Sequence, residues 1–129
     1  MSDIDVRDMI GPSVIMPGSN IELQEAILLA RERFPGHSFC VVDDWVWLDL
    51  EAPDLVTEEM VSEGELPVML LVFNALYDSS TTSKTYWFRS TPLVEFTEGM
   101  FFKTAHKIYV LLGHGRRKKM SLSAVVRLF

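Results

Sequence analysis

The chain has a single cysteine, Cys40, among 129 residues. An internal disulfide and a cysteine-based zinc site are thereby excluded, and within the apolar run FCVV the thiol reads as buried core rather than as a nucleophile. No uncharged apolar run reaches bilayer-spanning length; the longest, around 66–77, is well short of the roughly 20 residues a spanning helix needs. The N-terminus, MSDIDVRDMIGPS, has neither the basic nor the apolar segment of a secretory signal, so a cytoplasmic protein is expected. Familiar catalytic and nucleotide signatures are missing too: no GxSxG, no SxxK, no GxxxxGK[ST] and no GxGxxG opening a helix. His37, His106 and His114 lack the tight spacing of metal ligands, and neither a metal nor a cofactor is expected.

Acidic residues are absent after Glu98. Residues 1–98 hold all 18 acids and 5 of the 12 bases, a net −13, while 99–129 hold 7 bases, so the formal charge of −6 conceals two opposed halves. Such a division bears on partners rather than on fold. The segment EAPDLVTEEMVSEGELP (51–67) carries six acids and no base, and GHGRRKK (113–119) concentrates the cations.

Hydrophobic residues make up 48% of the chain, enough for one packed domain without staples. Residues 1–18 read as an extended, mobile lead, because two Pro and two Gly in GPSVIMPGSN keep helix out. Ser19 with Glu22 fits a capping box, and Leu23, Ala26, Ile27, Ala30 and Phe34 then mark one buried helical face that Pro35-Gly36 ends. From there the apolar period becomes two. HSFCVV and WVWLDL predict a hairpin turning at Asp43-Asp44, and 51–67 a surface excursion with one helical turn opened at Thr57. PVMLLVFNALY predicts a central strand buried on both faces. KTYWFRS, PLVEFT, MFFKT and KIYVLLG follow as strands, with a hairpin at Glu98-Gly99. SLSAVVRLF fits a short C-terminal helix or a strand. The fold class is α+β: an N-terminal helix on a curved, mainly antiparallel sheet or partly open barrel of about six strands, forming a single domain over 1–129.

The stretch RSTPLVEFTEGMFFKTAHKIYVLLGHGRRK resembles the C-terminal segment of small uncharacterised proteins encoded in bacterial genomes and prophages. The resemblance implies a shared β-unit, with Gly99 in a turn, Tyr109 and Leu111 in a strand and Gly113 after it. It implies no activity and transfers no site residues.

Two candidate surfaces follow. An acidic surface of Asp43, Asp44, Asp49, Glu51, Asp54, Glu58, Glu59, Glu63 and Glu65, with Trp45 and Trp47 among them, would steer a basic protein partner. The acids repel phosphate, so these tryptophans do not read as a base-stacking platform. A basic cluster of His114, Arg116, Arg117, Lys118 and Lys119 is the alternative, a nucleic-acid or phosphate site whose affinity would fall steeply with salt. A small enzyme using His106 or His114 opposite a carboxylate is a third reading. A non-enzymatic adaptor, inhibitor or regulatory protein is the leading expectation, without a membrane partner, and a homodimer is compatible with so small a β-rich domain.

Overall fold

The computed structural model describes residues 13–80 and 87–128. The elements are β1 (Val14–Pro17), α1 (Leu23–Arg33), β2 (Phe39–Glu51), α2 (Asp54–Ser62), β3 (Val68–Asp78), β4 (Phe88–Arg89), β5 (Leu93–Thr97), β6 (Phe101–Thr104), β7 (Ile108–Leu111), β8 (His114–Ser121) and α3 (Leu122–Leu128). Among the described residues, eight strands form one open sheet, and three helices accompany it. The class is α+β as expected, with two strands more than the apolar periodicity implied.

β2 is the axis of the sheet. It pairs antiparallel with β3 along one flank. On the other flank it runs parallel first to β7, from Phe39–Ile108 to Val42–Leu111, and then to β8, from Val46–Arg116 to Glu51–Ser121. The remaining pairings are antiparallel: β1 on β8, β6 on β7, β5 on β6 and β4 on β3. A strand paired along both flanks lies deep in its sheet, and the β-branched and aromatic residues on either side of Asp43-Asp44 suit that place.

This geometry overturns the expected hairpin. Asp43 and Asp44 do not turn the chain; the strand continues through them for 13 residues. At that point the pairing register with β3 slips, and the alternation of faces slips with it. Cys40 and Val42 before the acids and Trp45 and Trp47 after them share one core cluster, although strict alternation would put Val42 and Trp45 on opposite faces. Asp43 is held there by Asn74 of β3, whose Nδ2 donates to Asp43 Oδ1 at 2.7 Å. The central strand is therefore β2. β3 is buried only from Val68 to Val72 and is exposed from Asn74 to Leu76.

Trp45 and Trp47 pack with Leu70, Phe102, Tyr109 and Leu111 on one face of the sheet, beneath Leu93 and Phe96 of β5. Leu66 N donates to the Leu93 carbonyl at 2.7 Å, so the approach to β3 and the start of β5 meet across this face while the sheet stays open. The opposite face is covered in two parts. Ala26, Ile27 and Ala30 of α1 seal Phe39, Val41, Phe101, Ile108 and Val110, and Val125 of α3 seals Val46, Leu48 and Leu71. Each large side chain buried in this way contributes about 1.5–3 kcal/mol.

Several local expectations change. Ser19 does not cap α1: its backbone is taken up between Leu111 and Gly113, and the helix starts at Leu23 with no side-chain cap. A strand, β1, forms inside the segment expected to be irregular. The acidic excursion holds a nine-residue helix that starts after Pro53, not one turn at Thr57. HGRRKK, where the apolar periodicity predicted no strand, is most of β8. The Glu98-Gly99 hairpin is present, with φ of 54° and 69°, the pair of positive values that a two-residue turn between twisted strands requires. The short C-terminal helix is present too, and Ser121 Oγ accepts from Ala124 N at 3.1 Å at its start. Of the expected strand KTYWFRS, residues 84–86 lie outside the described residues, as do residues 1–12 of the N-terminal lead.

Candidate functional site

Two regions of unlike chemistry stand out, and both are set by β2. At its C-terminal end, the parallel register places Trp47 beside Arg117 and Asp49 beside Lys119. Side chains at matched parallel positions share a face, so one acid of the expected acidic surface meets two cations of the expected basic cluster. Arg117 Nε lies 2.7 Å from Asp49 Oδ2 and Nη2 lies 3.0 Å from Oδ1, a two-pronged pair. Trp47 Nε1 donates to the same Asp49 Oδ1 at 3.1 Å. The Arg117 guanidinium carbon stands 5.3 Å from the centre of the Trp47 ring, within cation–π range. Burial alone would raise the Asp49 pKa, but the hydrogen bonds from Arg117 and Trp47 and the charges of Arg117 and Lys119 outweigh it and hold the carboxyl below its ordinary value. The bond to Asp49 raises Arg117 in turn, against a smaller opposing effect of burial.

Beside this pair an open pocket of about 500 Å³ is lined by Ser13, Val14, Asp49, Arg117, Lys118 and Lys119. Among the described residues, β1 accompanies β8 from the Pro17–His114 to the Val14–Arg117 pairing, and β2 accompanies it as far as Ser121.

The second region is α2 with its flanks. None of its nine residues is buried; Val56, Thr57 and Met60 are half-buried and turn toward the domain. Leu55, Glu58, Glu59 and Ser62, at i, i+3, i+4 and i+7, share the outward face. Leu55 is 79% exposed, and Val61 and Leu66 nearby are 55% and 43% exposed. Glu51, Asp54 and Glu63 are exposed around them and Glu65 is half-buried. Asp54 and Glu58, like Glu59 and Glu63, are i, i+4 like-charge pairs, each unfavourable by about 0.2–0.5 kcal/mol. The last turn holds no base, and Glu63 stands at the negative end of the helix dipole.

The expected acidic surface thus divides. Glu51, Asp54, Glu58, Glu59, Glu63 and Glu65 come together on and around α2. Asp43 and Asp44 are half-buried in the β2 irregularity, and Asp49 belongs to Arg117. Trp45 and Trp47 are core side chains, at 1% and 6% exposure, not surface groups. Trp45 Nε1 donates to the Leu112 carbonyl at 3.0 Å and its ring lies on Gly115, which fastens β2 to the β7–β8 junction. The basic cluster also divides, because neighbouring strand residues face opposite ways: Arg117 and Lys119 lie on the Trp47 side, and Arg116 and Lys118 pair across to Val46 and Leu48 on the other. His114 is exposed at the start of β8, and His106 sits in the β6–β7 turn, where its backbone N donates to Thr104 Oγ1 at 3.4 Å. Among the described residues, no three His, Cys, Asp or Glu side chains converge as a metal site, and no helix is long and apolar enough to cross a membrane.

Sequence reasoning missed Leu55, Val61 and Leu66 as exposed apolar groups inside the acidic segment; the Leu55-Glu58-Glu59 spacing was the available signal. It also missed Ser13 and Val14 in the pocket, which local sequence did not mark. A further cluster joins strands distant in sequence: Lys107 Nζ lies 2.6 Å from Asp78 Oδ2 and 3.1 Å from Ser80 Oγ. Ser80 N and Oγ both donate to Asp78 Oδ1 at 2.9 Å. The group fixes the end of β3 to the start of β7.

Comparison with known proteins gives one family. A profile described as a domain of unknown function (DUF6957) matches residues 17–127, well beyond the C-terminal segment that carried the sequence resemblance. No curated protein and no solved structure matches the chain.

Proposed function

The chain belongs to the DUF6957 family, and for this member we propose a non-enzymatic, protein-binding role exercised through α2 and its flanks. The observation that carries the reading is the outward face of α2, where Leu55 is 79% exposed between Glu58 and Glu59 and none of the nine helical residues is buried. Helices this short draw their stability from packing, yet this one presents apolar area to water and sets its carboxylates against one another. A partner with lysines or arginines around an apolar notch relieves both costs at once. Apolar contact supplies affinity at the centre, and the acids at the rim steer approach and reject acidic competitors. The same acids disfavour nucleic acid at this face, because each would confront a phosphate.

The test is affinity capture from extract of the encoding organism. The full chain is compared with Leu55→Ser/Glu58→Gln/Glu59→Gln/Glu63→Gln and with Lys118→Gln/Lys119→Gln. A basic protein retained by the full chain and by the β8 variant, but lost by the α2 variant, is the expected result. Equal recovery by all three proteins rejects α2 as the binding face.

A further inference from the structure

We propose that the outer edge of β5 takes up an extended segment of the protein partner, which adds to the sheet as a further strand and carries apolar residues alternating with lysine or arginine. The inference rests on the protein-binding reading of α2 and gives the form in which such a partner binds.

The edge follows from the path of the chain. Residues 88–93 run along β3: Phe88 and Arg89 pair with Val72 and Leu71, Ser90 N donates to the Leu70 carbonyl at 2.8 Å, and the Leu93 carbonyl accepts from Leu66 N at 2.7 Å. There this pairing stops, because Glu63, Gly64 and Glu65 give their amides to the Glu59, Val61 and Met60 carbonyls and close the end of α2. From Val94 to Thr97, β5 therefore pairs with β6 alone among the described residues. At the hairpin the Thr97 carbonyl turns inward and accepts from Met100 N at 3.1 Å. Successive strand residues direct their backbone groups to opposite edges, so Phe96 directs its N–H and C=O outward. The irregularity between Leu93 and Glu95 shifts the alternation by one, which puts Phe96 on the same edge as the Leu93 carbonyl.

The side chains around this edge select the occupant. Leu66 and Val94 are exposed beside it and offer apolar contact. Glu63 and Glu95 are exposed and Glu65 is half-buried, while neither β5 nor residues 51–67 contain a base. Lys103, the register partner of Glu95 on β6, holds its ammonium 6.0 Å from the centre of the Phe34 ring. Glu98, beyond the end of β5, is matched to Arg33. A strand that brings cations to Glu63, Glu65 and Glu95 completes the charges, and its backbone completes the ladder; in such additions main-chain bonds supply affinity and alternate side chains supply specificity. A second copy joining by the same edge would set acid against acid. The same short, irregular edge is poorly suited to whole-sheet pairing, as protected edges are, and it matches a few residues of extended chain continuing from the α2 face.

The experiment is an amide NMR titration of the full chain with a short synthetic peptide of alternating lysine and valine, beside its fully N-methylated counterpart and a peptide of alternating glutamate and valine. Saturable shifts at Leu66 and Val94–Thr97, with slowed exchange of the Phe96 amide, are expected for the lysine peptide. N-methylation removes every backbone donor of the peptide and should lower affinity about tenfold or more. Glu95→Lys should weaken binding likewise; should it not fold, Glu63→Gln/Glu65→Gln decides. Equal affinity of the N-methylated peptide, or shifts confined to α2, overturns strand addition and leaves α2 standing as the binding face. Absence of saturable shifts with the lysine peptide, or equal binding of the glutamate peptide, also overturns it, as do β5 shifts that grow with protein concentration alone, which would make a second copy the occupant. Failure of the α2 reading shows separately, as equal capture of the basic protein by the α2 variant.

Discussion

Trp45 of β2 lies on Gly115 of β8, and no side chain fits between them: a β-carbon at Gly115 would penetrate the indole ring. The contact joins the two long parallel strands at the place where β2 changes partner from β7 to β8. Gly115→Ala must displace a fully buried indole that also donates to the Leu112 carbonyl. A loss of about 2–3 kcal/mol is expected, as for other overpacked cores, read as a lowered midpoint in urea with an unchanged slope. Stability within experimental error of wild type would mean that this contact does not fasten the strands.

The Asp49–Arg117 pair predicts a small, pH-dependent effect. Its side chains are 27% and 48% exposed, so water screens it, and Asp49→Asn should cost no more than about 1 kcal/mol. Because the folded-state pKa of Asp49 lies below its ordinary 3.8, the contribution is complete above the unfolded value and fades as pH falls through the folded one. Denaturation of wild type and variant should therefore differ at neutral pH and converge in acid below 3.8. A difference that persists there would have another origin.

Cys40 and Tyr109 govern the alkaline side. Burial pushes the Cys40 thiol from 9.0 to about 12, with Asp78 adding to the rise and Lys107 opposing it. Burial likewise pushes Tyr109 from 10.0 to about 12, with Cys40 and Asp78 adding to it. Both groups stay neutral in the folded protein while their unfolded counterparts ionise, so stability is full below 9.0 and declines as pH rises toward 12. A thiol reagent should leave native Cys40 untouched until the core opens, and labelling should follow the unfolding transition in urea. Prompt labelling of native protein would contradict the placement of Cys40.

Acidic α2 and basic β8 on one chain raise the question of self-association. A contact of α2 with the β8 of a second copy would be head-to-tail, and such a contact extends into chains unless its rotation closes. With a distinct basic protein as the partner of α2, size-exclusion elution should not change with protein concentration at physiological salt. Growth with concentration, abolished by Glu58→Gln/Glu59→Gln, would make the second copy the partner.

How much of this was legible in the sequence depended on whether local signals decided the structure. The α1 face from Leu23 to Phe34 and the Glu98-Gly99 hairpin were readable because helical spacing and turn dihedrals are local properties. β8 was not, since HGRRKK has no apolar alternation; it is a strand because β1 and β2 pair with its two edges and Gly115 accepts the Trp45 ring. Asp43-Asp44 looked like a turn because aspartate is common in turns, whereas it marks the change of partner within one strand, a long-range event. The acidic segment was legible in charge, and its exposed leucine only once the helix was known to start at Asp54. Arg117 and Asp49, 68 residues apart, could be matched only by knowing the parallel register.

The most direct measurement of the central claim is site-specific photo-crosslinking in cells of the encoding organism. A photoreactive residue is placed at position 55 on α2 and, separately, at position 28, an exposed leucine of α1 that is 63% accessible. The account predicts a defined adduct with a basic protein from position 55, lost when Glu58 and Glu59 are changed to glutamine, and none from position 28. Equal labelling from both positions, or a position-55 adduct that survives loss of the two carboxylates, would contradict it.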